Sequence, residues 1–245
     1  MKQVLILGAT SSIARAIASE FAREGVNLFL GGRDLAELEH MAADLDIRHG
    51  IQAHYGSVDA EDFAAHKDFL ENATRTLGEI DGVVFAIGYL GEQPRESADP
   101  AAALKIMNIN LSAAISLLAP IANILEEQGH GFIMGLSSVA GDRARPSNYV
   151  YGTAKGGLTL YLDGLRNRLD RQGVKVITLK LGFVDTEMTY GKRGLFLVAS
   201  PEQVAKSACQ TLQKPSGVYY IPRFWRMIML VIRLIPDSVF KRLNL

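Results

Sequence analysis

The chain is poor in the residues from which several classes of protein are built. It has one cysteine in 245 residues, so an internal disulfide framework is excluded, and Cys209 is expected as a small buried apolar group in a helix. Its five histidines, His40, His49, His54, His66 and His130, lack zinc-ligand spacing; they are expected mostly at the surface, with no metal site. Lys plus Arg and Asp plus Glu both number 26, which removes the basic excess a nucleic-acid binder uses. Internal repeats and low-complexity linkers are also missing. Met1-Lys2-Gln3 leads straight into the apolar run at 4–7, leaving no room for the hydrophobic region of a signal peptide. The cytoplasm is therefore the expected location.

What is present is 48% hydrophobic residues in a chain long enough for one sizeable α/β core. Apolar runs at 4–7, 26–30, 82–87, 131–136 and 174–181 alternate with helical patterns at about 12–24, 34–46, 60–77, 99–128, 150–171 and 201–213. That alternation predicts a single doubly wound parallel sheet of the Rossmann type, with helices on both faces. Asp34 with Glu37 reads as a capping box, and Ser200-Pro201 as an N-cap followed by proline at the first helical position. Gly25, Gly129 and Gly173 stand where helices end in a left-handed residue.

Chemistry concentrates around Tyr151-Gly152-Thr153-Ala154-Lys155, with Ser138 thirteen residues before the tyrosine. A free phenol ionises near pH 10, and an adjacent ammonium is expected to bring it toward the neutral range, where it exchanges protons with a carbonyl oxygen. The spacing alone is weak, since it equally describes an ion-bearing pair on a solvated helix face. It gains weight because Ser138 ends the strand-like run Gly131 to Leu136, at the sheet edge where ligands bind.

At the other end, Gly8-Ala9-Thr10-Ser11-Ser12-Ile13-Ala14 joins a strand to a helix, the setting in which a glycine-rich turn holds a pyrophosphate. Only the first glycine of that fingerprint is present; Ser12 and Ala14 fill the other positions. Thr10, Ser11 and Ser12 offer hydroxyl donors, and Ala14 permits close packing. After the second run the sequence reads Leu30-Gly31-Gly32-Arg33, with no acid for a ribose 2′-hydroxyl. Arg33 suits a 2′-phosphate, so NADPH is the expected cofactor, with NADH the alternative.

Taken together these residues resemble the short-chain dehydrogenase/reductase family over about 1–220. The matching features are the turn after Gly8, Ala86-Ile87-Gly88, Asn110, the set Ser138, Tyr151 and Lys155, and the segment Leu181-Gly182-Phe183-Val184-Asp185-Thr186. The resemblance implies that Tyr151 donates the proton and Ser138 orients the carbonyl. It further implies that Lys155 holds the nicotinamide ribose and lowers the Tyr151 pKa, and that Asn110 organises a proton path. Gly8, Thr10, Ser11, Ser12, Ile13, Arg33, Ala86, Gly88, Val184 and Thr186 would then join Tyr151 and Lys155 in binding the cofactor. The chain departs from the family pattern in the two missing glycines, in Ala86-Ile87, in Ser57 where an aspartate is common, and in Leu181 in place of proline.

A narrower likeness lies in 88–93, 137–143 and 147–152, which are similar to the decaprenylphosphoryl-2-ketoribose reductase group. That likeness implies a keto-sugar on a polyprenyl phosphate as substrate and a flavin oxidase as partner. Lys192, Arg193, Arg143 and Arg145 are candidate phosphate contacts, and 187–198 a candidate lid. A long-chain keto-lipid of the 3-ketosphinganine kind and a dinucleotide-binding scaffold without turnover are the competing readings. The tail 221–245 mixes aromatic, aliphatic and arginine residues at helical spacing, and arginines interrupt it too soon for a membrane span. It is expected to lie in a membrane interface, at the inner face of the cytoplasmic membrane, or against another subunit of a homo-oligomer.

Overall fold

A computed structural model describes residues 1–191 and 196–243. Its centre is a seven-stranded, wholly parallel sheet in the order β3-β2-β1-β4-β5-β6-β7. The strands are β1 (Gln3–Leu7), β2 (Asn27–Gly32), β3 (Ala53–Ser57), β4 (Gly82–Phe85), β5 (Gly131–Ser138), β6 (Val174–Leu181) and β7 (Gly217–Ile221). Alternation along β1 sends Val4 and Ile6 to one face and Leu5 and Leu7 to the other, where they join separate cores. The first core lies beneath α1 (Ser12–Arg23), α2 (Leu35–His49) and α8 (Pro201–Thr211). The second lies beneath α3 (His66–Leu77), α6 (Ala113–Gln128) and α7 (Tyr149–Leu169). Strands covered on both faces read as continuous apolar runs, which is why the interior ones were visible in the sequence.

The two outermost strands were not. β3 exposes His54 and Tyr55 and carries no apolar run, while the short run Val218 to Ile221 in β7 is only partly buried and was not read as a strand. The helix expected over 60–77 starts at His66, because the side chains of Asp59 and Asp62 accept the backbone N–H groups of Glu61 (2.9 Å) and Ala65 (3.3 Å) in a preceding turn. The stretch 99–128 divides into α5 (Pro100–Met107), a widened turn at Asn108–Ser112, and α6. By length and composition 100–128 would cross a membrane, yet its buried face is the core packing of Leu117, Leu118, Ile121 and Leu125.

The helix ends mostly follow expectation. Gly25, Gly129 and Gly173 have φ of 72°, 74° and 74°. Ser200 and Gln203 form a complete capping box, at 3.2 and 3.1 Å. Asp34 makes only half of one: it accepts from the Glu37 N–H at 3.1 Å, while the Glu37 carboxylate turns to Arg15 at 2.6 Å. His66 corrects the surface expectation. It is buried between Ser116 Oγ and the Asp59 carbonyl, each 2.8 Å from a ring nitrogen. Cys209 is half-buried in α8, where burial, then Glu20 and Glu24, push its thiol up to about 12.

After β7 the chain forms α9 (Trp225–Leu234) and α10 (Asp237–Phe240). Trp225 and Met229 bury themselves against Val139, Phe183 and Tyr220. A Cβ on Gly182 would stand 1.8 Å from Trp225 Nε1, so the tail docks only because position 182 has no side chain. Gly182→Ala should therefore weaken that docking by roughly 1–3 kcal/mol, the usual cost of overpacking. Limited trypsin digestion should show faster cleavage at Arg223, Arg226 and Arg233 than in wild type, and unchanged cleavage there would contradict the packing described.

Candidate active site

The carboxyl ends of β1, β2, β4, β5 and β6 open onto one cleft of about 460 Å³, at the switch point where the sheet order reverses between β1 and β4. Gly8, Thr10, Ser11, Ser12, Ile13, Arg33, Ala86, Gly88, Ser138, Tyr151, Lys155, Val184 and Thr186 all line it. Gly8 has φ +81°, and a Cβ there would meet the Ile87 nitrogen at 2.9 Å and the Ala86 carbonyl carbon at 3.0 Å. Glycine thus satisfies both the left-handed turn and the close approach of two chain segments. The turn is anchored by Gly8 and Ala9 N–H groups on the Gly31 carbonyl, at 2.8 and 2.9 Å, and by Arg15 Nε on the Thr10 carbonyl at 2.9 Å. Ser11 caps α1 by accepting from the Ala14 N–H at 3.3 Å.

The Ser138 end is assembled by backbone-on-backbone packing. Gly152 and Gly156, one turn apart on α7, lie against the tight turn Val139–Gly141: a Cβ on Gly152 would be 2.8 Å from the Ala140 carbonyl oxygen, and one on Gly156 would be 3.1 Å from that of Gly141. Ser137 Oγ adds a bond to the Lys155 carbonyl at 3.0 Å, and Lys155 Nζ donates to the Leu136 carbonyl at 3.0 Å. Ser138 is thereby held beside Tyr151 and Lys155. The first turn of α7 receives help from α4 (Gln93–Ala98), where Gln93 Oε1 accepts from the Val150 N–H at 3.1 Å. Gln93 and the two glycines are functional positions that the motif reading did not single out. The i, i+4 glycine pair beside Tyr151 and Lys155 was the available signal.

The candidate phosphate contacts Arg143 and Arg145 lie outside the cleft lining, and of the expected catalytic and cofactor residues so does Asn110 alone. Fully buried in the widened turn, its amide donates to the Tyr89 carbonyl at 2.7 Å and the Ile106 carbonyl at 2.9 Å, and accepts from the Tyr89 N–H at 3.2 Å. Its oxygen lies behind Gly88, where an added Cβ would stand 3.3 Å from both Asn110 Oδ1 and Lys155 Nζ. Two residues after Ser57, Asp59 lines the cleft together with Val58 and Ala60, all missed because β3 was missed.

Electrostatics correct one expectation. Burial pushes Tyr151 up to about 12, and the Ser138 hydroxyl beside it acts in the opposite direction without offsetting that effect. Lys155 is buried as well and falls to about 8; its Nζ lies 5.8 Å from the centre of the Tyr151 ring. Burial thus outweighs the acidification of Tyr151 that Lys155 was expected to bring.

The arginines beyond the catalytic strand behave differently from expectation. Arg143 does not face the cleft with a free charge: it donates to the Ile232 and Ile235 carbonyls at 2.6 Å each, pairs with Asp237 at 2.8 Å and stacks on the Phe240 ring at 3.8 Å. It is a C-terminal cap for α9. Lys192 and Arg193 lie outside the described residues. The start of the candidate lid is tied down by Thr189 Oγ1 on the Val184 carbonyl at 2.6 Å, with Glu187, Met188 and Thr189 lining the cleft.

Comparison with known proteins places this geometry. The short chain dehydrogenase family matches residues 2–194. The chain belongs to that family. An uncharacterized oxidoreductase of Mycobacterium tuberculosis is 35% identical over 240 residues, covering 98% of this chain and 96% of that one. Another from Streptomyces coelicolor is 32% identical over 244 residues, covering 99% and 96%. Among solved structures, levodione reductase superposes with a TM-score of 0.80 at 22% identity, covering 90% of this chain and 95% of that one. An actinorhodin polyketide ketoreductase crystallised with NADPH gives 0.81 at 18% identity, covering 91% and 96%. The protein is an NAD(P)-dependent oxidoreductase.

The residues present fit a dinucleotide. The N-terminus of α1 and the hydroxyls of Thr10, Ser11 and Ser12 suit a pyrophosphate. Arg33, Val58 and Asp59, at one end of the cleft, would hold the adenosine, and Gly88, Lys155, Val184 and Thr186 the nicotinamide. The nicotinamide supplies or takes the hydride. Tyr151, its pKa pushed up to about 12 by burial, would give its proton to an oxygen that is gaining charge, and Ser138 would position that oxygen. Lys155 would face the phenolate left behind.

Tyr151→Phe is expected to cut turnover about 10²- to 10⁴-fold while leaving the dissociation constant for the cofactor unchanged. In the wild type, reduction should hold steady across neutral pH and alcohol oxidation should rise with pH, because one needs the proton on Tyr151 and the other needs it off. Retained turnover in the variant would remove Tyr151 from the chemistry.

Proposed function

We propose that the protein is an NADPH-dependent reductase that converts a ketone to a secondary alcohol, the ketone being carried on a lipid. The observation that carries the reading is a buried Tyr151 beside Ser138 and Lys155 in a cleft whose opposite end presents Arg33. Burial pushes the phenol up, in keeping with a group that gives its proton to a carbonyl oxygen. The structural neighbours that reduce levodione and a polyketide are in keeping with a carbonyl substrate.

NADPH is favoured because Arg33 stands exposed at the end of β2 with no carboxylate partner among the described residues. Removing it should cost a charge-assisted contact with the 2′-phosphate. Arg33→Ser is expected to lower kcat/KM with NADPH by roughly 10- to 100-fold and to leave NADH nearly unaffected. Equal loss with both cofactors would remove the 2′-phosphate role.

For the carbonyl compound, the favoured reading is a keto-sugar on a polyprenyl phosphate, with a flavin oxidase supplying the ketone. Arg145 is the residue that supports a phosphate contact. It is half-buried beyond the catalytic turn, has no acceptor among the described residues, and burial lowers its pKa. The long-chain keto-lipid reading shares the lipid carrier and lacks the phosphate. Purified protein with NADPH and a panel of keto-sugars and keto-lipids, phosphorylated and neutral, decides between them through loss of reduced-cofactor absorbance. Consumption of phosphorylated keto-sugars supports the favoured reading, preference for a neutral keto-lipid replaces it with the second, and no turnover with any carbonyl compound overturns both.

A further inference from the structure

We propose that α9 is a lipid-docking helix that seats the mouth of the cleft on an anionic membrane surface. At about 100° per residue, α9 divides sharply. Trp225, Ile228, Met229 and Ile232 turn inward onto Val139, Phe183 and Tyr220. The opposite arc carries Met227, Leu230, Val231 and Leu234, with Met227 62%, Val231 61% and Leu234 73% exposed. Large aliphatic groups in an unbroken outward face are costly in water, and a single helix needs no second apolar face to fold here.

The inward side ties the helix to the cleft. The ring of Phe196 lies 5.6 Å from that of Trp225 and 5.7 Å from that of Phe183, and Leu197 and Val198 follow it with exposed side chains. Gly182, against which Trp225 packs, lines the cleft directly. The helix whose outward arc is bare is thus fixed beside the cleft by its buried side.

Charge selects the occupant. Between 222 and 243 the basic residues are Arg223, Arg226, Arg233, Lys241 and Arg242, against one acid, Asp237, which Arg143 already holds. Arg226 and Arg233 flank the apolar arc on one side, and long arginine stems reach headgroups while the aliphatic groups lie deeper. A second copy packing α9 antiparallel about a two-fold axis would oppose arginine to arginine. An anionic headgroup layer instead neutralises them, at about 1 kcal/mol per basic residue. With ten residues α9 lies in the interface and does not span it.

The inference deepens the lipid-carried reading above and rests on it only for what enters the cleft. The test is flotation of the full chain with vesicles of phosphatidylglycerol and phosphatidylcholine, compared with phosphatidylcholine alone. Binding is expected to the anionic vesicles. Arg223→Gln with Arg226→Gln should weaken it by roughly 30-fold, and Leu230→Glu by about tenfold or more. Both variants should keep wild-type thermal melting and wild-type turnover of a short water-soluble ketone, since none of the three positions lines the cleft. Absence of binding to anionic vesicles, or binding unchanged in both variants, overturns the proposal. So does a wild-type dimer that Leu230→Glu converts to a monomer, which would give the face to a second copy. Vesicle binding needs no turnover, so it can fail while the reductase reading stands, and the reverse.

Discussion

The site depends on one contact between main chains. Gly152 and Gly156 let α7 press against the Val139–Gly141 turn closely enough that either Cβ would collide with a carbonyl oxygen. That approach sets the separation between Ser138, on the strand side, and Tyr151 and Lys155, on the helix side. Ser137 and Leu136 reinforce it by bonding to Lys155 from β5. Side chains at the glycine positions would push the helix outward, and the hydroxyl, phenol and ammonium would no longer face a common point. Precision of this kind comes from rigid elements held by backbone contacts rather than from loops.

Closeness has an electrostatic cost that shapes the chemistry. The same burial that fixes Tyr151 and Lys155 disfavours a charge on either, so the phenol rises and the ammonium falls. At neutral pH the phenol keeps its proton, while the lysine, lowered to about 8, still carries charge. Catalytic groups whose pKa values are moved by their surroundings mark a working cleft, and here both members of the pair are moved.

Much of this was legible in the sequence, and the gaps have physical causes. Interior strands such as β1 and β6 are covered on both faces and so announce themselves as apolar runs; β3, at one edge, does not, which hid Val58 and Asp59 from the cofactor reading. Apart from Asn110, the motif residues from Gly8 to Thr186 converge on one cleft because they sit near strand ends and helix starts whose positions the fold dictates. Arg143 was misread for a different reason. A charged residue after a catalytic strand looks available for substrate, and only three-dimensional proximity shows that the carbonyls ending α9 use it. Asn110 was recognised, while the clamp it makes on Tyr89 required the widened turn that no propensity foretells.

The neighbours Asp142 and Arg143 face opposite ways. Asp142 holds Lys180 of β6 and the Tyr220 hydroxyl of β7, while Arg143 grips the far end of the tail. Two consecutive positions thus rivet the last strands and the terminal helices to the turn that follows Ser138. Loss of the terminal helices would leave Arg143 without its carbonyl partners and uncover Val139, the residue next to Ser138.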